Sequence, residues 1–101
     1  MIKEINAAEL KERLDHVVND IFLLDVREIS EFEQYNIGGT LIPLGQLPNR
    51  LSEIPTDNEI VVVCKSGGRS LRAVQYILQN REGANVYNLK GGLMAWESIY
   101  G

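Results

Sequence analysis

The sequence predicts an α/β fold, a mostly parallel central sheet covered on both faces by helices. Two observations carry that prediction. The runs Ile21-Phe22-Leu23-Leu24 and Ile60-Val61-Val62-Val63 are continuously apolar, as strands buried on both faces are. Around them lie segments with apolar residues at helical spacing, and such alternation places helices on the faces of a parallel sheet. Size agrees with one domain over residues 1–101, since 45% of the 101 residues are apolar and 24% are charged, an ordinary balance for a folded domain.

Residues 2–5 read as a short strand. Asn6 with Glu9 three residues on has the layout of a capping box, and Leu10, Leu14 and Val17 give the following helix an apolar stripe. Residues 21–26 form the first long apolar strand, and 30–35 a short helix. Gly38-Gly39 and Pro43 break the chain. Residues 44–51 read as a helical turn region, and Pro55-Thr56-Asp57-Asn58 is turn chemistry. A β-branched strand over 59–64 leads to a helix over 70–80, with Leu71, Val74, Ile77 and Leu78 on one face. Gly83 ends that helix. A further strand over 84–88 precedes Leu89-Lys90-Gly91-Gly92, which turns into a last helix carrying Leu93, Trp96 and Ile99.

Net charge is −4, a poor match to a phosphate backbone, so nucleic acid is not an expected partner. No apolar run is long enough to span a bilayer, and the first residues, Met1-Ile2-Lys3-Glu4-Ile5-Asn6, lack a signal-peptide apolar region. The expectation is a cytoplasmic monomer away from membranes. The single cysteine allows no internal disulfide and fits a reducing compartment.

That cysteine sits in Val61-Val62-Val63-Cys64-Lys65-Ser66-Gly67-Gly68-Arg69-Ser70. It ends a strand, where open α/β sheets build their sites. The bland reading is a small buried hydrophobe. The loop argues otherwise. A free thiol has a pKa near ~8.5, and a fall of two units needs about 2.7 kcal/mol. A helix N-terminus supplies about 0.3–1 kcal/mol, so backbone N–H groups and cations must do the rest. Gly67 and Gly68 let the backbone curl into an anion nest. The helix from Ser70 adds its positive end, and Lys65 and Arg69 add charge. Dithiol redox chemistry within the chain requires a resolving cysteine, and none exists.

Four stretches together resemble the single-domain rhodaneses, the thiosulfate and persulfide sulfurtransferases. They are Leu24-Asp25-Val26-Arg27-Glu28 with Glu31-Phe32; Ile37-Gly38-Gly39-Thr40 before Ile42-Pro43-Leu44; Cys64 to Ser70; and Asn88-Leu89-Lys90-Gly91-Gly92 with Trp96. The resemblance implies a three-layer sandwich around a sheet of about five strands. It implies that Cys64 takes a sulfane sulfur from a donor as a persulfide and passes it to a thiophilic acceptor. Loop N–H groups from Lys65 through Arg69 would hold the outer sulfur, with Ser66, Gly67, Gly68 and Ser70 completing the substrate loop. The Lys65 and Arg69 side chains would favour anionic donors such as thiosulfate. No metal or organic cofactor is implied; the partners are a small sulfur donor and acceptor, or a protein sulfur carrier.

Two relatives of that reading stay open. The chain also resembles rhodanese domains at the C-terminus of adenylating enzymes that serve ubiquitin-like sulfur carriers, and inactive rhodanese-like binding modules exist. Tyrosine-phosphatase-like loops place five residues between Cys and Arg, whereas four separate Cys64 from Arg69. The family often has Gly-His-Ile where this chain has Tyr35-Asn36-Ile37, and Asn36 can substitute as a hydrogen-bonding group. Asp25 and Arg27 are expected to form a buried pair shaping the site wall, with Glu28 or Glu31 nearby. His16 is expected on the surface, Trp96 in the core, and Gly91-Gly92 as a turn feeding the last helix.

Overall fold

The computed structural model describes residues 2–16 and 20–101. Five strands, β1 (Lys3–Ile5), β2 (Ile21–Asp25), β3 (Thr40–Leu41), β4 (Glu59–Val63) and β5 (Val86–Leu89), form one sheet in the order β1-β5-β4-β2-β3. Every pairing is parallel. The helices are α1 (Ala7–Leu14), α2 (Ile29–Gln34), α3 (Leu47–Arg50), α4 (Gly68–Asn80) and α5 (Gly92–Tyr100).

The central strands are apolar because both faces are covered. Side chains alternate along a strand, and β4 sends Ile60 and Val62 to one core while Val61 and Val63 go to the other. The first core is closed by Leu47 of α3 and by Ala73, Val74 and Ile77 of α4. The second is closed by Ala7 and Leu10 of α1 and by Leu93 and Trp96 of α5. Asn6 caps α1 as its sequence indicates, with Asn6 Oδ1 accepting from Glu9 N–H and Glu9 accepting from Asn6 N–H. Val17, expected to extend that stripe, lies outside the described residues.

The connection from β2 runs to β3 on one side, and that from β4 to β5 on the other. The carboxyl ends of β2 and β4 therefore flank the point where strand order reverses, which is where open α/β sheets leave a crevice. Asp25 and Cys64 stand at those two ends.

Some details depart from expectation, among them the start of β5 at Val86 and not at residue 84. Thr40–Leu41 is a paired strand and not only a break. The α4 helix begins at Gly68, two residues early, and buries Ser70, Ala73, Val74 and Ile77. That set has helical spacing i, i+3, i+4, i+7, and it leaves Leu71 exposed. Gly83 adopts a positive φ of 80°, but α4 has already ended at Asn80. Ile99 is 60% exposed, whereas Trp96 is buried as expected. His16 is exposed. Among the described residues no helix is long and apolar enough to cross a membrane.

Candidate active site

Cys64 follows β4 directly and is 1% exposed. Gly67 turns the chain back with φ 105°, a conformation that glycine adopts without steric cost. The turn aims donors at the sulfur. Gly67 N–H donates to Cys64 Sγ at 3.1 Å and Ser70 N–H at 3.2 Å, while Ser70 Oγ lies 3.3 Å from Sγ. Burial pushes the Cys64 thiol up, but the Ser70 hydroxyl and the N–H groups of Ser70, Gly67 and Ser66 outweigh it. The net shift is below the ordinary thiol value.

The two glycines of the loop are not equivalent. Gly67 supplies the left-handed turn, whereas Gly68 is already helical and has nothing near a potential Cβ. The cations also differ. Lys65 is exposed and borders a groove of about 370 Å³ with Arg27, Glu31, Tyr35 and Met94. Arg69 is engaged: its guanidinium donates to both Glu31 oxygens at 2.7 and 2.9 Å. That hydrogen-bonded contact holds the Glu31 carboxyl down at about 2 against the cost of its burial. Arg69 still lies near enough to Cys64 to feel the charge of its sulfur.

A second wall is built on Asp25. Arg27 Nη2 donates to Asp25 Oδ2 at 2.7 Å, and Arg27 Nε to Asp25 Oδ1 at 3.0 Å. Both side chains are almost wholly buried. The same guanidinium donates to Tyr35 O at 2.7 Å and Glu31 O at 3.4 Å, fastening α2 to β2. The expected pair exists, then, but the Glu31 carboxylate serves Arg69 and only its carbonyl serves Arg27.

A family model described as a rhodanese-like domain matches residues 6–99. The chain belongs to that family. This rhodanese-like chain is 40% identical over 97 residues to a protein named sulfurtransferase from Allochromatium vinosum, covering 95% of this chain and 89% of that one. Among solved structures it is similar to a rhodanese-related protein of Thermoplasma volcanium, with a TM-score of 0.85, 29% identity, and 97% and 93% of the two chains covered. It is likewise similar to a rhodanese-like domain protein of Staphylococcus aureus, at a TM-score of 0.84 and 31% identity over 94% and 91% of the chains.

Three residues of the rhodanese-like site have roles that its sequence does not reveal. Asn88 of β5 is 3% exposed and accepts a short hydrogen bond from the Ser70 hydroxyl. Glu31 takes the loop arginine. Gly92 does more than feed a helix: with φ 64° it packs against the loop so closely that a Cβ would strike the Cys64 and Lys65 carbonyls. From there Leu93 N–H donates to Cys64 O at 2.8 Å and Met94 N–H to Lys65 O at 3.0 Å. The Gly91-Gly92 pair hinted at a turn, but nothing in the spacing says what that turn touches. Asn36, in the family's frequent His position, donates to Phe32 O at 2.8 Å and accepts from Gly38 N–H at 2.9 Å. It closes the end of α2 and stands apart from the sulfur cradle.

Proposed function

We propose that this rhodanese-like domain is a sulfurtransferase that carries sulfane sulfur as a persulfide on Cys64. The observation that carries the reading is the convergence of three backbone N–H groups and the Ser70 hydroxyl on one buried sulfur. Such a cradle stabilises an anion without a side-chain cation, and it does so in a site shielded from water.

In the first half-reaction the Cys64 thiolate attacks the outer sulfur of thiosulfate or a persulfide. The S–S bond of the donor breaks, and its electron pair leaves on sulfite or on the donor thiolate. Cys64 becomes a persulfide with its charge on the new outer sulfur. The N–H groups of Gly68 and Arg69 stand in the first turn of α4, where a helix has no acceptor of its own to offer. They and the rest of the loop from Lys65 receive that sulfur. In the second half-reaction a thiophilic acceptor attacks the outer sulfur, and the Cys64 thiolate returns as leaving group. The groove beside Lys65 gives donor and acceptor their approach.

Phosphate chemistry fits less well. Only four residues separate Cys64 from Arg69, and Glu31 already occupies the guanidinium that would clamp a phosphoryl group. Mass spectrometry after thiosulfate treatment should show one added sulfur on Cys64, removed by cyanide and missing in Cys64→Ser. An unmodified chain under donor excess, or Cys64-dependent turnover of a phosphotyrosine analogue, would overturn the proposal.

A further inference from the structure

The cradle continues inward from Ser70. Its hydroxyl has one proton and three candidate acceptors: Cys64 Sγ at 3.3 Å, Gly67 O at 3.2 Å, and Asn88 Oδ1 at a shorter distance. Ser70 and Asn88 are 0% and 3% exposed, so a partner lost here is not replaced by bulk water. Glu4 of the edge strand β1 fixes which way Asn88 points. A carboxylate only accepts, so Glu4 Oε2 draws Asn88 Nδ2 to 3.1 Å and turns Oδ1 towards Ser70, with Gly67 O a longer second acceptor for Nδ2 at 3.5 Å. Gly67 O also accepts from Leu71 N–H at 3.1 Å. It stays bonded when Ser70 turns away, whereas Asn88 Oδ1 does not.

We propose that Asn88, held by Glu4, is a positioning residue that competes with the Cys64 thiolate for the single proton of the Ser70 hydroxyl. With a neutral thiol every group is satisfied: S–H donates to Ser70 Oγ, and Ser70 O–H donates to Asn88 Oδ1. With a thiolate, Ser70 either turns its proton to sulfur and orphans Asn88, or leaves the sulfur to backbone donors alone. With the empty anion the site is short of one hydrogen bond in both cases, at Asn88 in the first and at the sulfur in the second. A persulfide carries its charge on the outer sulfur, so Sγ no longer claims the Ser70 proton. The relay thereby favours the loaded cysteine over the empty one. That last consequence rests on the sulfur-carrier reading, whereas the proton competition does not.

Other charges surround the loop: Lys65 and Arg69 on it, Glu28 at the cap of α2, Glu31 on α2, and the Asp25–Arg27 pair at the end of β2. The test leaves all of them in place. Iodoacetamide alkylation across pH reads the Cys64 thiol pKa directly, without any sulfur transfer. Asn88→Leu should lower it by about 0.7 unit, roughly fivefold in thiolate-to-thiol ratio below that pKa. Ser70→Ala should raise it, and in that background Asn88→Leu should have no effect. Glu4 is exposed, so its variants keep the test readable should Asn88→Leu fail to fold. Glu4→Ala frees the amide to turn and should lower the pKa, while Glu4→Gln, which still offers an acceptor, should restore it. An Asn88→Leu shift that is absent, upward, or unchanged without Ser70 overturns the proposal. So does a Glu4→Gln variant that behaves like Glu4→Ala, since the carboxylate's field would then be acting and not its geometry.

Discussion

Gly67 and Gly68 are adjacent, chemically identical and opposite in role. At Gly67 a side chain meets nothing closer than 3.7 Å, but φ is 105°, a conformation costing other residues roughly 1–2 kcal/mol. Relief of that strain would swing its N–H away from Cys64 Sγ. Gly67→Ala is therefore expected to raise the thiol pKa as well as to lower stability. At Gly68 the backbone is helical and the space open, so Ala there should be stabilising by up to about 1 kcal/mol. Thermal unfolding and pH-dependent alkylation of the two variants separate these outcomes. Glu31 gives a residue-level pH signature. Its folded pKa, about 2, lies below the ordinary 4.5, so its contribution is complete above pH 4.5 and lost as pH falls through the folded value. The pair is about one-third exposed, which limits the contribution to about 1 kcal/mol after screening. Glu31→Gln should flatten this part of the acid-unfolding profile, measured by denaturant titration between pH 5 and about 2.

Among the elements, α2 is the one held by polar contacts. It buries none of its own residues fully, and besides the Arg69–Glu31 pair its attachment runs through the Arg27 guanidinium to Glu31 O and Tyr35 O. Arg27→Ala removes that tie and strands the Asp25 carboxylate in the interior, a loss of about 3–5 kcal/mol. Urea titration checks the magnitude, and an unchanged midpoint with lost sulfur transfer would instead make Arg27 catalytic. The strands that hold the sheet together were legible because β2 and β4 must be apolar on both sides. The two-residue strand Thr40–Leu41 was not, because Gly38-Gly39 before it reads as a break and two residues show no period. On α4 the buried face begins with Ser70, and a hydropathy pattern assigns a core position to Leu71 sooner than to a serine. Ser70 shares the helical face of Ala73, Val74 and Ile77, and Cys64 Sγ, Gly67 O and Asn88 Oδ1 satisfy its hydroxyl there.

For the whole molecule, the site is assembled from pieces far apart in sequence: Glu4 on β1, Glu31 on α2, the loop after β4, Asn88 on β5 and the first turn of α5. The loop itself was readable because its chemistry is written in consecutive residues. Its supports were not, because an asparagine or a glycine pair has a local meaning and acquires another only when strands pair. Gly92→Ala tests that dependence. A Cβ there meets the Cys64 carbonyl at 2.7 Å from a backbone already at φ 64°. The substitution should cost more than about 2 kcal/mol, as overpacking and strained φ add, and the residual folded protein should load less sulfur. Calorimetry and persulfide mass spectrometry read the two effects. The clamp from Leu93 and Met94 onto the Cys64 and Lys65 carbonyls has a further consequence in time. During synthesis the cysteine leaves the ribosome about thirty residues ahead of its clamp, and β1 must wait for β5 before it can pair. The Cys64 and Lys65 carbonyls are thus without their α5 donors in the growing chain, and the loop is clamped only when the last helix arrives.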